Sequence, residues 1–309
     1  MTFYVAGYDT EAIFPWWELR ETPGSARSYQ QVVSYEGARL EECLDGVRAV
    51  AEVHLRRHAP ATFFIVAQLA LAAGPRLREI LDHDLFDLQS HSFTHPNMLG
   101  IRDDAAALRH ELADSRRIIE DLFGREVIGF TAPGGHGHGF IGETELLEAV
   151  WEAGYRYVRT LSWQANNAAP APLTQPFWFS GDGFPELLEV SAHAWHDNIL
   201  TGQPATAAWP PALPWGYPAR LPTTAREVYD AYAPGIEHCR DQGLLTYAPC
   251  FHPWSIYRVD RGAGQIDLLL EHAREAGLTL ASCSDVYRRL AAEPQLAHPA
   301  PGFAALAPA

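Results

Sequence analysis

Cysteine is scarce in this sequence, and its four copies lie far apart, at Cys43, Cys239, Cys250 and Cys283. No two of them have the short spacing of a cysteine-based zinc site, which argues against a site of that kind. Isolated cysteines are usually buried and behave as small apolar residues. We therefore expect all four to be reduced and mostly buried thiols of a cytoplasmic protein.

The chain also lacks an excess of basic residues. Lys and Arg number 23 against 38 Asp and Glu, which gives a formal net charge of −15. Nucleic acids and anionic membrane surfaces attract Lys- and Arg-rich faces, so neither is an expected partner. The charge leaves a small-molecule substrate and a homo-oligomer open.

Long apolar segments are missing as well. The first residues, MTFYVAGYDTEA, contain no basic segment followed by an apolar one, so no signal peptide is expected. The longest apolar run, Ala59 to Ala73, is interrupted by Gln68 and is too short to span a bilayer. We expect a cytoplasmic protein, and the 47% hydrophobic content is enough for a sizeable core.

Short β-branched or aromatic runs alternate with longer segments of helical periodicity, as in βαβ units around a parallel sheet. Strands are predicted at 3–9, 62–67, 85–91, 127–133, 155–162, 187–195, 244–253 and 278–284. Helices are predicted at 38–58, 103–123, 143–153, 264–276 and 284–292. Seven or eight parallel strands, most followed by a helix, fit a closed or nearly closed (β/α) barrel better than an open sheet.

Three segments fall outside this alternation. Residues 12–36 and 199–224 are long loops rich in Pro and Trp, and such loops are usually lids or binding surfaces. Their tryptophans, Trp16, Trp17, Trp209 and Trp215, could stack on sugar rings or anchor the loops, and both readings stay open. Residues 293–309 are rich in Ala and Pro and are expected to be disordered, which leaves 1–292 as a single domain.

The segment LQSHSFTHPN, at 88–97, places His91 and His95 four residues apart. With 14 histidines in 309 residues, chance alone gives about one such pair, and a second one occurs at His54 and His58. Spacing by itself therefore decides nothing. The second pair lies in a predicted outer helix, and we expect it to face solvent.

His91 and His95 follow a predicted strand, and other titratable residues follow its neighbours. Asp9 and Glu11 come after the first strand, and His252 comes at the end of the penultimate one. In a parallel barrel these strand ends share one face, where active sites form. Two imidazoles and one carboxylate make a catalytic zinc site, although the same set also holds Fe(II) in some oxygenases. A loop in which both histidines only form hydrogen bonds is equally compatible with these residues.

Five segments in this order resemble the motifs of one enzyme family. They are YDTE at 8–11, ATFFIVA at 61–67, SHSFTH at 90–95, GFTAPGG at 129–135 and FHP at 251–253. Together they resemble the polysaccharide deacetylase family, the NodB-homology domain of carbohydrate esterase family 4, over about residues 3–290. The resemblance implies a distorted (β/α) barrel, and the D-x-E form of YDTE resembles the intracellular branch of the family.

The same resemblance implies a role for each site residue. His91 and His95 would hold a divalent metal, with zinc as the expected ion. Glu11 would be the third metal ligand, because the adjacent-acid form of the motif would put a threonine in that place. Asp9 would be the general base, and His252 the general acid that protonates the leaving amine.

The third motif departs from the family, which has an Arg there that pairs with the catalytic Asp and orients it. Thr131 stands at this position, and a hydroxyl cannot supply a fixed positive charge. Arg159, on the neighbouring predicted strand, is one candidate for the missing cation, and His136 and His138 are others. The two histidines could equally be incidental polar residues of a Gly-rich loop or contact the substrate.

The resemblance also implies a set of substrate-binding residues. Trp195 would form a pocket wall, although a buried structural Trp is about as plausible, and Asp197 would support the acid histidine. His193 and His196, in the same segment, are left without a role. The predicted set is Thr131, Pro133, Gly134, Trp195 and Asp197.

These features predict a metal-dependent hydrolase of a linear amide C–N bond that deacetylates an N-acyl amino sugar or a related small amide. In a cytoplasmic protein, a precursor or a nucleotide- or lipid-linked sugar suits the compartment better than an external polymer. Two alternatives stay open: a cyclic-amide hydrolase of the allantoinase kind, and a catalytically impaired carbohydrate-binding relative. An Fe(II) oxygenase is disfavoured by the βα alternation and by the nearby Asp and His acid–base pair.

Overall fold

The computed structural model describes residues 1–14, 32–33, 35–136, 138–161, 173–193 and 222–302. The strands in these ranges are β1 (Phe3–Val5), β2 (Gly7–Thr10), β3 (Ile13–Phe14), β4 (Val32–Val33), β5 (Ala61–Ile65), β6 (Phe86–Ser90), β7 (Gly129–His136), β8 (Tyr157–Leu161), β9 (Phe177–Phe179), β10 (Phe184–Glu189), β11 (Thr246–Tyr247), β12 (Cys250–Phe251) and β13 (Thr279–Ala281). The helices are α1 (Gly37–Arg57), α2 (Ala67–Leu81), α3 (Ala105–Arg109), α4 (Ser115–Phe123), α5 (Thr144–Glu152), α6 (Ala225–Asp241), α7 (Pro253–Val259), α8 (Gly264–Glu275) and α9 (Cys283–Ala292).

Eight of the strands form one sheet in the order β12-β2-β5-β6-β7-β8-β10-β9, in which only the β10–β9 pairing is antiparallel. β1 runs on into β2 and pairs in parallel with β11 and β13 in a smaller sheet. A parallel bridge between His193, just after β10, and Pro249, just before β12, brings the two sides of the sheet together. The predicted α/β fold is confirmed, as a distorted barrel whose two sides are linked, within the described ranges, by this one bridge.

All eight predicted strand segments contain a strand, although 3–9 and 244–253 are each divided into two short ones. The structure corrects the prediction at two places. β3 and β4 form an antiparallel hairpin from the ends of the segment predicted as a loop at 12–36, and β9 was not predicted. Strands of two or three residues are too short to give a periodic signal.

Helices α2, α6 and α7 were also not predicted. For α2 and α6 the sequence shows why. α2 begins two residues after β5, so its first apolar residues extend the apolar run of the strand, and Pro75 lies inside it. α6 contains the dipeptide Pro234–Gly235, which normally indicates a turn. A methyl group at Gly235 would lie 2.3 Å from the Tyr247 ring, so close packing explains that glycine.

The second histidine pair is not where the sequence placed it. His58 ends α1 with a left-handed backbone and is exposed, but His54 is fully buried, so the predicted solvent-facing pair is wrong for His54. The His54 Nδ1–H donates to the Ala59 carbonyl at 3.0 Å, and Nε2 accepts from the Tyr8 hydroxyl at 2.7 Å. Burial lowers the pKa of His54 to about 4, so this imidazole is a neutral, hydrogen-bonded part of the core.

The long helix predicted at 103–123 is interrupted. It consists of α3, a π-helical turn at His110–Asp114, and α4. Asp104 caps its start by accepting hydrogen bonds from the backbone N–H groups of Ala106 and Ala107, and Gly124 ends it with a φ of 65°. Both ends lie within two residues of the predicted bounds, but nothing in the hydrophobic periodicity indicated the π turn.

Successive residues of a strand face opposite sides of the sheet, so one packs against the outer helices and the next faces the barrel interior. Phe63 lies in the large apolar cluster beneath the helices, whereas Phe64 lies in a smaller cluster inside the barrel. Leu296, in a 3₁₀ turn at Pro294–Leu296, packs against this smaller cluster, so ordered chain extends past residue 292. Residues 303–309 of the predicted tail lie outside the described residues. In the described part of the chain, no helix is long and apolar enough to cross a membrane.

Two outer helices approach each other closely at a glycine. Gly46 lies in the middle of the 21-residue helix α1, where glycine weakens a helix. A Cβ at this position would lie 2.3 Å from the carbonyl oxygen of Pro253, the first residue of α7. Only glycine allows this contact, which sets the start of α7 against α1.

Candidate active site

The carboxyl ends of the parallel strands bring the predicted site residues to one rim of the barrel. Glu11 follows β2, His91 follows β6 and His252 follows β12, each by one residue. Asp9 lies near the end of β2 in the same way. All four are at most 3% exposed, so the site is a buried group of ionisable side chains that needs compensating partners.

Glu11, His91 and His95 converge on one point. The Glu11 Oε2 atom lies 3.1 Å from His91 Nε2 and 2.9 Å from His95 Nε2. The ligand-type atoms of the three residues all lie within 4.8 Å of one another, and among the described residues no other group of His, Cys, Asp and Glu does so. His91 Nδ1–H donates to the Thr131 carbonyl at 2.9 Å, which turns the Nε2 lone pair toward the other two groups.

The three side chains fit a divalent metal. Glu11 Oε2 is buried and has no hydrogen bond of acceptable geometry in the described structure, although two imidazole nitrogens are close to it. Burial opposes ionisation of Glu11, but the nearby His95 and His91 outweigh it and hold the pKa of Glu11 well below its usual range. Burial also lowers the pKa of His95, which favours the neutral form that binds metals. A cation would satisfy all three atoms at once.

Asp9 lies beside this group rather than in it. Its Oδ1 pairs with the Arg159 guanidinium, and its Oδ2 accepts a hydrogen bond from the Cys250 thiol at 3.3 Å. His252 Nε2 lies 3.9 Å from Asp9 Oδ2 and 3.7 Å from Glu11 Oε1, so it faces both carboxylates. The geometry therefore separates the carboxylate next to the histidines from the one held by an arginine.

Arg159 supplies the positive charge that Thr131 lacks. Its Nε–H donates to the Thr131 hydroxyl oxygen at 3.0 Å, and that hydroxyl donates to the Arg159 carbonyl, also at 3.0 Å. The guanidinium lies over the Phe64 ring, 4.6 Å from its centroid. Thr131 thus fixes the orientation of an arginine from the neighbouring strand. Of the other two candidate cations, His138 is half-buried in the turn after β7, and the side chain of His136 lies outside the described residues.

The predicted substrate-binding residues are only partly described. Thr131 and Pro133 are buried in β7, and Gly134 belongs to the same strand. Trp195 and Asp197 lie outside the described residues, as do the four tryptophans of the long loops. His193 is fully buried and structural: its Nε2–H donates to the Thr174 carbonyl at 2.8 Å, and Nδ1 accepts from the Ala248 N–H at 3.0 Å.

Two contacts at the rim were not predicted. Cys250 was expected only to be buried, and its place two residues before His252 is the one sequence signal of its contact with Asp9. Glu189 is fully buried at the end of β10 and accepts hydrogen bonds from the N–H groups of Thr160 and Leu161 and from the Thr160 hydroxyl. Burial raises the pKa of Glu189 to about 7 despite these donors.

Comparison with known families addresses the motifs directly. Residues 45–158 match the family model described as polysaccharide deacetylase. The resemblance to the polysaccharide deacetylase family is confirmed. The matched segment contains His91, His95 and Thr131 but not Asp9, Glu11 or His252. The places of those three residues in a polysaccharide deacetylase site therefore depend on the geometry described above.

Solved structures share the fold over nearly the whole chain. One is a Mycobacterium smegmatis protein assigned as a polysaccharide deacetylase, with a TM-score of 0.65 and 18% identity, covering 95% of this chain and 91% of that one. A second is the PuuE allantoinase, with a TM-score of 0.63 and 15% identity, covering 94% and 89%. A Pseudomonas aeruginosa PAO1 protein assigned as a polysaccharide deacetylase gives 0.62 and 16%, covering 94% and 90%. A sequence search of curated proteins found no match.

Proposed function

We propose that this protein is a metal-dependent hydrolase of a linear amide C–N bond, which deacetylates an N-acyl amino sugar or a related small amide. The observation that carries the proposal is the convergence of Glu11 Oε2 with the Nε2 atoms of His91 and His95. The family match to the polysaccharide deacetylases supports the reaction class. Zinc is the proposed ion, because two imidazoles and a carboxylate with an open position form a catalytic zinc set.

The division of labour is the one that the family resemblance implies, and the positions of the side chains are compatible with it. A bound cation would polarise the amide carbonyl and lower the pKa of a bound water. Asp9, next to the three ligands but held by Arg159, is placed to take the proton of that water as general base. His252, 3.7 Å from Glu11 and 3.9 Å from Asp9, is placed to return a proton to the leaving nitrogen. Arg159 keeps Asp9 oriented and compensates its buried charge.

We further propose a cytoplasmic location and membership of the intracellular branch of the family. All four cysteines lie in the described part of the chain, are buried and form no disulfide there, which suits a reducing compartment. The D-x-E spacing of Asp9 and Glu11 supports the branch. In that compartment the substrate would be a soluble, nucleotide-linked or lipid-linked amino sugar.

A substrate panel with metal analysis tests this function. The purified protein is assayed for bound metal, for acetate release from N-acetylated mono- and oligosaccharides and UDP-linked amino sugars, and for ring opening of allantoin. We expect stoichiometric zinc, acetate release that a chelator abolishes and zinc restores, and no activity on allantoin. Protein that binds no metal, or hydrolysis that survives complete chelation, would contradict the proposal.

Allantoin is in the panel because the PuuE allantoinase shares the fold at a TM-score of 0.63. A cyclic-amide hydrolase is therefore the second candidate. It would open the ring without releasing a small acid, so the two functions give different products under one assay. A carbohydrate-binding protein without activity would bind sugars and release nothing.

A further inference from the structure

The loop that carries both proposed metal-binding histidines has an unusual backbone. Ser92 and His95 have φ angles of 64° and 65°, in the left-handed region that non-glycine residues rarely adopt. Only four non-glycine residues in the described chain have a positive φ, and two of them lie in this four-residue segment. Such backbone conformations persist only where surrounding groups hold them.

Glu111 makes the contacts that can hold this loop. One of its carboxylate oxygens, Oε2, accepts hydrogen bonds from the backbone N–H groups of Phe93 and Thr94, both at 2.8 Å. The other, Oε1, accepts from the Thr94 hydroxyl at 2.6 Å. The loop adds one internal bond, from the His95 N–H to the Ser92 hydroxyl oxygen at 3.0 Å. A buried acceptor from a separate helix thus takes three donors from the two residues between Ser92 and His95.

A π turn delivers this carboxylate to the loop. Glu111 lies in the π-helical turn His110–Asp114 and is only 5% exposed. The Ser115 hydroxyl lies 2.7 Å from the Glu111 carbonyl oxygen, and the Tyr155 hydroxyl donates to the Leu112 carbonyl at 2.8 Å. These two side chains thus hydrogen-bond to backbone carbonyls of the π turn. π turns are rare and are often found at functional sites.

The same turn is tied to the start of the histidine loop. The Ser115 hydroxyl lies 2.9 Å from the hydroxyl of Ser90, the last residue of β6 and the neighbour of His91. The helix therefore contacts this region at two places, through Ser115 just before His91 and through Glu111 between Ser92 and His95. Neither residue approaches the converging ligand atoms, so they act on the site through the backbone.

We propose that Glu111 is a positioning residue that holds the Ser92–His95 backbone in the conformation needed to bind metal. This inference rests on the proposed metal site. A carboxylate suits the task because it only accepts hydrogen bonds and can serve all three donors at once. A glutamine could keep the bonds to the backbone N–H groups through its single carbonyl oxygen, whereas a methionine of similar length would leave all three donors without an acceptor.

Metal affinity of the protein without substrate provides the test. Zn²⁺ dissociation constants are measured by competition with a chromophoric chelator for the wild type, E111M, E111Q and T94V, and Co²⁺ absorption spectra report the ligand geometry. E148M, the same chemical change at an exposed position of α5, is the matched control. We expect E111M to weaken Zn²⁺ binding about tenfold or more and to alter the Co²⁺ spectrum. E111Q should rescue most of the affinity, T94V should weaken binding a few-fold, and E148M should match the wild type.

Thermal unfolding of the metal-free variants separates positioning from general stability. If E111M and T94V unfold at lower temperature but bind Zn²⁺ as tightly as the wild type, with unchanged Co²⁺ spectra, Glu111 is only structural and the inference is wrong. If E111M does not fold, T94V, which removes a single hydroxyl, decides the question by the same two measurements. Failure of the proposed function is distinguishable, because in that case the wild type itself would bind no metal.

Discussion

Mostly buried polar residues form two clusters at opposite ends of the barrel strands, and the two clusters differ in how their polar atoms are hydrogen-bonded. At the amino ends, Asp87 accepts hydrogen bonds from the Thr62 hydroxyl at 2.9 Å, the Tyr157 hydroxyl at 3.2 Å and the Ser284 hydroxyl at 2.8 Å. At the carboxyl ends, Glu11 Oε2 is buried without a hydrogen bond among the described residues. A polar cluster whose members satisfy one another holds a fold together, whereas one that converges on a shared point needs a ligand.

The largest effect is expected when a proposed metal ligand is removed at the carboxyl ends of the strands. We expect H91A and H95A each to abolish stoichiometric metal binding and to lower kcat/KM about a thousandfold or more, because the metal supplies several kcal/mol of transition-state stabilisation. Metal content and acetate release are the measurements. The control is H298A, the same change at an exposed histidine outside the site. Unchanged hydrolysis in either alanine variant would remove the basis of the proposed function.

The next largest effect is expected at Arg159, which pairs with Asp9 beside the proposed metal ligands. R159M should lower kcat about a hundredfold and change KM little, because Asp9 would lose the group that orients it. Moving the arginine to the neighbouring strand, in the double variant T131R/R159T, should restore part of kcat. Steady-state kinetics on the best substrate of the panel provide the test. A kcat in R159M equal to that of the wild type would show that orientation of Asp9 by this cation is not needed.

Changes in the cluster around Asp87, at the amino ends of the strands, should lower stability and leave metal affinity almost unchanged. D87A should lower the free energy of unfolding by about 3 kcal/mol, because several buried donors lose their acceptor. The zinc dissociation constant should stay within about twofold of the wild type, since additivity holds for distant sites. Denaturant unfolding and zinc titration are the two measurements. A large loss of metal affinity in folded D87A would mean that the two ends of the barrel are coupled, and the comparison would fail.

The smallest effect is expected at Glu189, which lies at the carboxyl ends but is fully hydrogen-bonded. Burial raises its pKa to about 7 from an ordinary value of 4.5, so the folded protein binds this proton more tightly than the unfolded chain does. The stabilisation is complete below about pH 4.5 and is lost progressively as pH rises to about 7. E189Q should remove this slope. Stability curves at several pH values test it, and an identical slope in E189Q would assign the pH dependence to another group.

Much of the fold could be predicted because strand and helix periodicity is local. The strand ends that carry Asp9, Glu11, His91 and His252 were predicted in the right order, and a parallel sheet places such ends on one rim. The choice of Glu11 over Asp9 as the neighbour of the histidines came from the family resemblance, and the geometry places Glu11 there. Periodicity alone could not have made that choice.

The features that the sequence could not predict depend on contacts between distant parts of the chain. Arg159 was one of three candidate cations, and only the register of β7 against β8 shows that its Nε reaches Thr131 and its guanidinium reaches Asp9. His54 was wrongly expected to face solvent, because the spacing of the two histidines does not show which face of α1 is buried. The role of Glu111 depends on a π turn, which leaves no signal in a hydrophobic pattern of normal helical period.

The close contact at Gly46 has a consequence for how this barrel could vary. α7 begins directly after His252, so the backbone that bears the proposed proton donor rests on helix α1 at a position without a side chain. A methyl group at Gly46 would force either α1 or Pro253 to shift, and Pro253 is the residue next to His252. The position of the proposed acid thus depends on the outer layer of helices, at a residue remote in sequence from every proposed catalytic group.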